Sequence, residues 1–302
     1  MNIIGKKNLY FIISLLVIIP GTLSLLFYGL KLSIDFTGGS RLEVQNSEFR
    51  IQNSETRIKK ILKEQNLVLE SVGKSGTDTY IVQTKPIDQN AHQKIISQLK
   101  KEFGEIKEIS FETIGPTVGN ETTLNAFKSV LYASVLIILY IAWSFRSVPK
   151  PASSIRFGIC AIIALLHDVL VLVGVFSILG HFFGVEVDSL FVTAVLTVIG
   201  FSVHDTIVVF DRIRENLKRT SGVSFAKITN DSILQTLGRS LNTSLTVLIV
   251  LFTLLLFGGE STKWFVVALL VGITSGTYSS IFNAAPLLVL WDEFSRHSGK
   301  RV

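Results

Sequence analysis

The chain has a single cysteine, Cys160, so no disulfide can form within it and a disulfide-stapled scaffold is excluded. Charge is scarce: 17% of residues are Asp, Glu, Lys or Arg, against roughly 25% in ordinary soluble domains. Proline is scarce as well, with six in 302 residues, while Ile, Leu, Val and Phe abound; collagen-like and disordered chains do not look like this. No His-Glu-x-x-His is present, which removes the usual zinc-protease motif. What the chain does have is apolar residues, 48% of the total, and a mean hydropathy of +0.49. That composition describes a membrane protein with some polar part.

Six apolar stretches are long enough to cross a hydrocarbon core, which needs about 20 residues at a rise of 1.5 Å each. They run over Leu9–Leu30, Leu124–Phe145, Phe157–Gly180, Leu190–Phe210, Leu241–Phe257 and Trp264–Trp291. The first follows Lys6 and Lys7 and lacks the short core and small-residue cleavage site of a signal peptide, so it reads as a retained anchor. Basic residues set the orientation. Lys6, Lys7, Arg146, Lys150, Arg156, the 211–239 segment and the C-terminal Arg296, Lys300 and Arg301 put fourteen cations against five acids on one side. The positive-inside rule makes that side, with both termini, cytoplasmic. The formal net charge of +6 is therefore a topological quantity, and no nucleic-acid partner is implied by it.

The domains expected are residues 1–30 (cytoplasmic N-terminus and first span), 31–123 (an extracytoplasmic domain) and 124–302 (five spans, with a cytoplasmic loop at 211–239 and a cytoplasmic C-terminus). The polar segment 31–123 is electrically neutral and reads strand, helix, strand, strand, helix, strand. Arg41–Gln45 alternates, and Ser54–Gln65 carries Ile58, Ile61 and Leu62 at helical spacing. Leu67–Val72 and Thr79–Thr84 are β-rich runs joined by a turn signal at Gly73-Lys74-Ser75-Gly76. Asp88 caps a helix that ends at Phe103 before Gly104, and Ile106–Ile114 alternates again. The order is that of a ferredoxin-like split βαβ. The fold class expected is thus a polytopic α-helical membrane protein of six transmembrane helices, with an α+β ferredoxin-like domain between the first two.

Candidate functional residues fall at four places. Asp35-Phe36-Thr37-Gly38-Gly39 follows the first span; the paired glycines favour a sharp redirection of the chain over an anion nest, since no Lys-Ser/Thr follows. Gly115-Pro116 marks the corresponding exit before the second span. His167-Asp168 and His204-Asp205 place carboxylates inside the third and fourth spans. Such a group costs about 2.5–3.5 kcal/mol at the bilayer centre on insertion scales and needs either partners or a task. Ion or proton handling is favoured for Asp205, while for Asp168 relay and packing stand level. Arg239, at the expected start of the fifth span, is either a snorkelling interfacial cation or a counter-ion to Asp205. Gly200, Gly272 and Gly276 are read as close-packing positions. Asp211 and Arg212 open a charged helical extension, and Ile228, Ile233, Leu234 and Leu237 suggest a short amphipathic helix on the inner surface, able to touch anionic lipid or a cytoplasmic partner.

These residues in this order resemble one family, the SecF protein-export membrane proteins of the RND superfamily. The resemblance is carried by Asp35-Phe-Thr-Gly-Gly39, Gly115-Pro116, Leu166-His-Asp168, Gly200-Phe-Ser-Val-His-Asp-Thr-Ile-Val-Val-Phe-Asp-Arg-Ile-Arg-Glu-Asn216, and Gln235-Thr-Leu-Gly-Arg239 through Ser244. It implies half of an RND-type bundle, pairing with SecD, in the bacterial cytoplasmic (inner) membrane. It also implies assistance to SecYEG and SecA in moving preprotein with the proton motive force. Asp205 would be the proton-relay carboxylate and Arg239 its partner. Two residues depart from the pattern: Phe201 stands where Tyr is usual, and His204 where Asn is usual, which puts a second titratable group beside the relay. No cofactor is expected, and the coupling ion is H+ or Na+. No catalytic residue is expected either, since an aspartyl-protease dyad of Asp168 and Asp205 would lack the Gly-x-Gly-Asp context of such enzymes. The alternatives are an RND-type exporter subunit of lipid or drug, or a scaffold that stabilises the translocon without transport.

Overall fold

The computed structural model describes all residues except 47, 48, 50–53, 65–67, 76, 77, 147, 150–152, 221 and 300–302. Gln65, Leu67, Gly76, Lys150, Lys300 and Arg301 of the sequence reading lie outside the described residues. The chain divides into two compact units, Leu32–Phe127 and the remainder.

In the smaller unit a four-residue helix α2 (Ile34–Thr37) leads into β1 (Gly39–Gln45). Then come α3 (Ser54–Glu64), β2 (Leu69–Ser75), β3 (Thr79–Thr84), α4 (Gln89–Phe103) and β4 (Lys107–Ile114). The sheet order is β2-β3-β1-β4 with every neighbouring pair antiparallel, the ferredoxin-like arrangement. Local chemistry explains the boundaries. Asp88 Oδ1 accepts from the Ala91 N–H at 2.8 Å, and Gly104 ends α4 at φ +74°, where a side chain would be strained. The core is built from the alternating Leu42, Val44, Tyr80 and Val82 against Ile58, Leu62, Ile95 and Leu99. Phe49 stands edge-on to both Tyr80 and Phe103. One expectation is corrected: Gly73, Lys74 and Ser75 are not the turn but ladder residues, opposite Ile81, Tyr80 and Thr79. The register of the hairpin carries β2 past the glycine.

The larger unit holds α1 (Lys7–Tyr28), α6 (Ser154–Phe183), α7 (Ser189–Arg219), α8 (Phe225–Phe257), α9 (Glu260–Ser279) and α10 (Ala285–Gly299). A further helix, α5 (Pro116–Ser144), begins in the smaller unit and ends in this one. Pro116 sits at its first position, where the missing N–H is no loss. Among the described residues, six helical segments are long and apolar enough to cross a membrane, α9 and α10 forming the last of them together. Between those two, Ser280–Ala284 widens into a π-helical turn. Pro286 follows it and would otherwise clash with the preceding turn while leaving a carbonyl without its donor.

Small residues set the closest approaches. A Cβ on Gly174 of α6 would lie 2.7 Å from the Gly21 Cα of α1, so two backbones are in contact there. A Cβ on Gly272 would lie 2.1 Å from Val198 Cγ2, and one on Gly276 would lie 3.2 Å from the Ser202 Cα; both glycines are packing positions, as expected. Gly200 is the exception. It is exposed, and among the described residues nothing lies within 4 Å of a Cβ position there.

The region after α7 also differs from expectation. Ile228–Leu237 is not a separate surface helix but the opening turns of α8, continuous through the fifth span. The reason is packing. Ile228, Thr229, Ser232 and Ile233 are buried, and Asn216 of α7 donates to Ser232 Oγ at 2.8 Å. Arg239 consequently lies well inside α8 and does not begin it.

Candidate functional site

Asp205 is 2% exposed on the inward face of α7. Two hydroxyls reach its Oδ2: Ser244 of α8 at 3.5 Å and Thr277 of α9 at 3.4 Å. Those hydroxyls are 2.6 Å from each other. The carboxylate therefore sits at the junction of three helices with long, weak bonds, and its donors already have partners in each other and in the carbonyls one turn back. One turn before Ser244, the Ser240 Oγ is buried and makes no hydrogen bond among the described residues.

Asp168 is fully buried on α6 and is held differently. Ser202 of α7 donates to Oδ2 at 2.5 Å, Ser279 of α9 to Oδ2 at 2.6 Å and Ser275 of α9 to Oδ1 at 2.7 Å. His167 Nδ1 lies 3.0 Å from Oδ1. This is a shell made for an acceptor-only carboxylate. Next to it Thr206 and Ser280 pair at 2.8 Å, and Ser280 donates back to the Ser202 carbonyl. Asp168 and Asp205 thus bind separate sets of hydroxyls and share no hydrogen bond in the structure.

The structure does not bring the other two sequence candidates onto Asp205. His204 is exposed on the outer side of α7. Arg239 is exposed as well and, among the described residues, forms no ion pair with Asp205. It precedes Ser244 by five residues, or about 7.5 Å along the helix axis. Asp211 and Arg212 lie at the far end of α7. Arg214 pairs with Asp211 at 2.5 Å, and Arg212 reaches both Glu215 at 2.5 Å and Gln235 of α8 at 2.6 Å. That network ties α7 to α8 beyond the apolar stretch.

The glycine motif is a structural joint. Ser33 Oγ accepts from the Asp35 N–H at 3.2 Å, capping the single turn through Asp35, Phe36 and Thr37. Gly38 and Gly39 follow at φ +70° and +134°, which an L side chain rarely adopts. A Cβ on Gly38 would lie 2.9 Å from the Pro116 Cα, and one on Gly119 would lie 2.8 Å from the Gly38 nitrogen. The two motifs, far apart in sequence, thus pack backbone to backbone, with Gly115 leading into α5. Gly119, Ser202, Ser275, Thr277 and Ser279 escaped the sequence reading. For Ser275 and Ser279 the signal was the four-residue spacing they share with Gly272 and Gly276 along α9.

Residues 94–294 match the family described as protein export membrane protein SecD/SecF, C-terminal, and residues 23–45 match the SecD/SecF GG motif. The chain belongs to the SecD/SecF family. It is 49% identical to protein translocase subunit SecF of Thermobaculum terrenum, over 97% of this chain and 94% of that one. With the SecF subunit of Anaerolinea thermophila it shares 44% identity, again over 97% and 94%. Protein translocase subunit SecDF of Bacillus subtilis is 37% identical over 95% of this chain, which spans 37% of that longer protein. Among solved structures, SecDF, a translocon-associated membrane protein from Thermus thermophilus, superimposes with a TM-score of 0.82 at 31% identity. That match covers 97% of this chain and 39% of the SecDF chain. The second SecD/SecF motif, around residues 23–45, is the glycine joint described above. The chain is a multi-pass membrane protein of this family.

Proposed function

We propose that this chain is the SecF-type subunit of a protein translocase, paired with SecD in the bacterial inner membrane. It assists SecYEG and SecA in moving preprotein by drawing on the proton motive force, and it catalyses no covalent chemistry. Both termini face the cytoplasm and the α+β unit the opposite side, on the strength of the basic-residue bias. Asp205 carries the coupling ion, a proton or Na+. The observation that supports this is the placement of a buried carboxylate where α7, α8 and α9 meet, with two hydrogen bonds, of 3.4 and 3.5 Å, among the described residues. Protonation there removes a charge from an apolar bundle and changes which helix arrangement is favoured. One proton crossing 100 mV supplies about 2.3 kcal/mol, enough to shift a two-state equilibrium by well over tenfold.

Arg239 acts in this reading through a second arrangement of α8, in which it approaches the junction now occupied by Ser240 and Ser244. His204 stands apart from the buried face. The test is preprotein export into inverted membrane vesicles carrying SecD with either the wild-type chain or Asp205→Asn. Loss of the proton-driven increment, with SecD still co-purifying, is expected. Full proton-driven export by Asp205→Asn would leave the scaffold reading in its place.

A further inference from the structure

His167 has one ring nitrogen accounted for and one that is not. Nδ1 faces Asp168, while Nε2 is buried and makes no hydrogen bond among the described residues. The side chain is only 10% exposed. A bare imidazole nitrogen inside an apolar bundle costs free energy and calls for a reason. The same residue lines a cavity of about 530 Å³ between α1, α6 and α9. The cavity's walls are apolar, Val17, Val175 and Leu270 among them, but Ser14, Ser275 and Tyr278 add hydroxyls. Ser275 also donates to Asp168, so one hydroxyl joins the cavity to the carboxylate. A space of this size with several polar groups has room for water.

We infer that His167 is a protonation site served from this cavity, with Asp168 as its fixed counter-charge. With Nδ1–H donated to Asp168, Nε2 is a lone pair. A proton passing from a hydronium ion in the cavity forms the Nε2–H bond, leaves a water behind and turns the ring into an imidazolium. Asp168 offsets the new charge from 3.0 Å, and its three serine bonds stop it from moving away. In this structure Nε2 has no exposed surface, the Tyr278 ring lies 6.5 Å away at 22° to the imidazole, and the Tyr278 hydroxyl donates to the Tyr10 carbonyl at 2.8 Å.

Beside the ring α6 contributes Asp168; around the cavity α9 contributes Thr274, Ser275 and Tyr278, and α1 contributes Ser14. Among the described residues no Lys, Arg, Asp or Glu lines the cavity. From α7, Ser202 reaches Asp168. The inference stands whether or not Asp205 carries the coupling ion.

The test is the ¹⁵N spectrum of the histidine-labelled full chain in lipid nanodiscs, the His167 signal being assigned among five histidines by its loss in His167→Gln. Between pH 8 and pH 5 the wild-type signal is expected to pass from neutral imidazole to imidazolium. Asp168→Asn, which removes the counter-charge, and Val175→Phe, which fills the cavity, are each expected to keep it neutral throughout. A wild-type ring that stays neutral down to pH 5 overturns the proposal without any variant having to fold. So does a titration that either variant leaves unchanged.

Discussion

Asp168 takes three serine hydroxyls from two neighbouring helices at 2.5–2.7 Å, whereas Asp205, in the same bundle, takes two hydroxyls at 3.4 and 3.5 Å. Both are equally hidden, at 0% and 2% exposure, so burial does not distinguish them. The donors do. A carboxylate with a full set of short bonds is fixed, and any change of charge would have to break all of them together. One with two long contacts, from hydroxyls already bonded to each other, gives up little when it changes partners. Position inside a membrane marks a carboxylate as costly; its hydrogen-bond shell says whether it anchors or switches.

The sharpest way to break this comparison is to remove each carboxylate and measure unfolding of the reconstituted protein. Interhelical hydrogen bonds in membrane bundles are worth roughly 0.6 to 1.7 kcal/mol each. Asp168→Ala, which strands three hydroxyls, is expected to destabilise by about 3 kcal/mol, and Asp205→Ala by less than about 1 kcal/mol. Equal losses would show that the shells do not differ as the distances say.

Next in size is the scaffold both shells share. Ser202 and Ser279 reach Asp168 from α7 and α9, whose contact depends on Gly272 meeting Val198. Gly272→Ala puts a methyl where Val198 already is, and overpacking of this kind costs about 1–3 kcal/mol. The same unfolding measurement is expected to place it between the two aspartate variants. A neutral Gly272→Ala would mean that α7 and α9 can separate without disturbing either site.

How much of this was legible beforehand follows from the range of the forces involved. In the α+β unit the signals are local: Asp88 and Gly104 bracket α4, and the β-rich run Thr79–Thr84 marks β3 to the residue. The sheet order then follows from a connectivity with few solutions. The apolar spans were legible for the same reason, since hydropathy is a property of the segment alone. The start of α8 was not, because amphipathic turns at Ile228–Leu237 look identical whether they lie on a membrane surface or continue into it; their packing on Asn216 decides. Nor were the shells. Asp205 and Asp168 stand out as carboxylates in apolar helices, but Ser202, Ser275, Thr277 and Ser279 are ordinary small residues until the helices are assembled. Arg239 and His204 were joined to Asp205 by sequence proximity and resemblance, and helical geometry turns both side chains outward.

A smaller effect sharpens the comparison from the switching side. Thr277→Val keeps the shape of the side chain and removes one of the two hydroxyls at Asp205, leaving Ser244 in place. The stability change is expected to stay near 0.6 kcal/mol, the average for such bonds. The functional change is expected to be larger: the pH dependence of proton-driven export in vesicles should move, since a donor to the charged form has been lost. Ser275→Ala, which trims the fuller Asp168 shell by one donor, serves as the control and should leave that profile where it was.

The smallest expected effect is at His204. Sequence adjacency makes it look like a member of the relay, yet consecutive residues on a helix point about 100° apart, and here one faces the junction while the other is exposed. A ring on that side has no hydrogen-bonding claim on Asp205, whose contacts come from α8 and α9. His204→Asn is therefore expected to leave the unfolding midpoint unchanged and to shift the pH profile of export only slightly, through loss of the ring's electrostatic contact with Asp205, in contrast to Asp205→Asn one position on. An unchanged profile would show that this contact does not reach Asp205 across the width of α7. The boundary between the switching site and the outer surface would then be drawn to exclude His204.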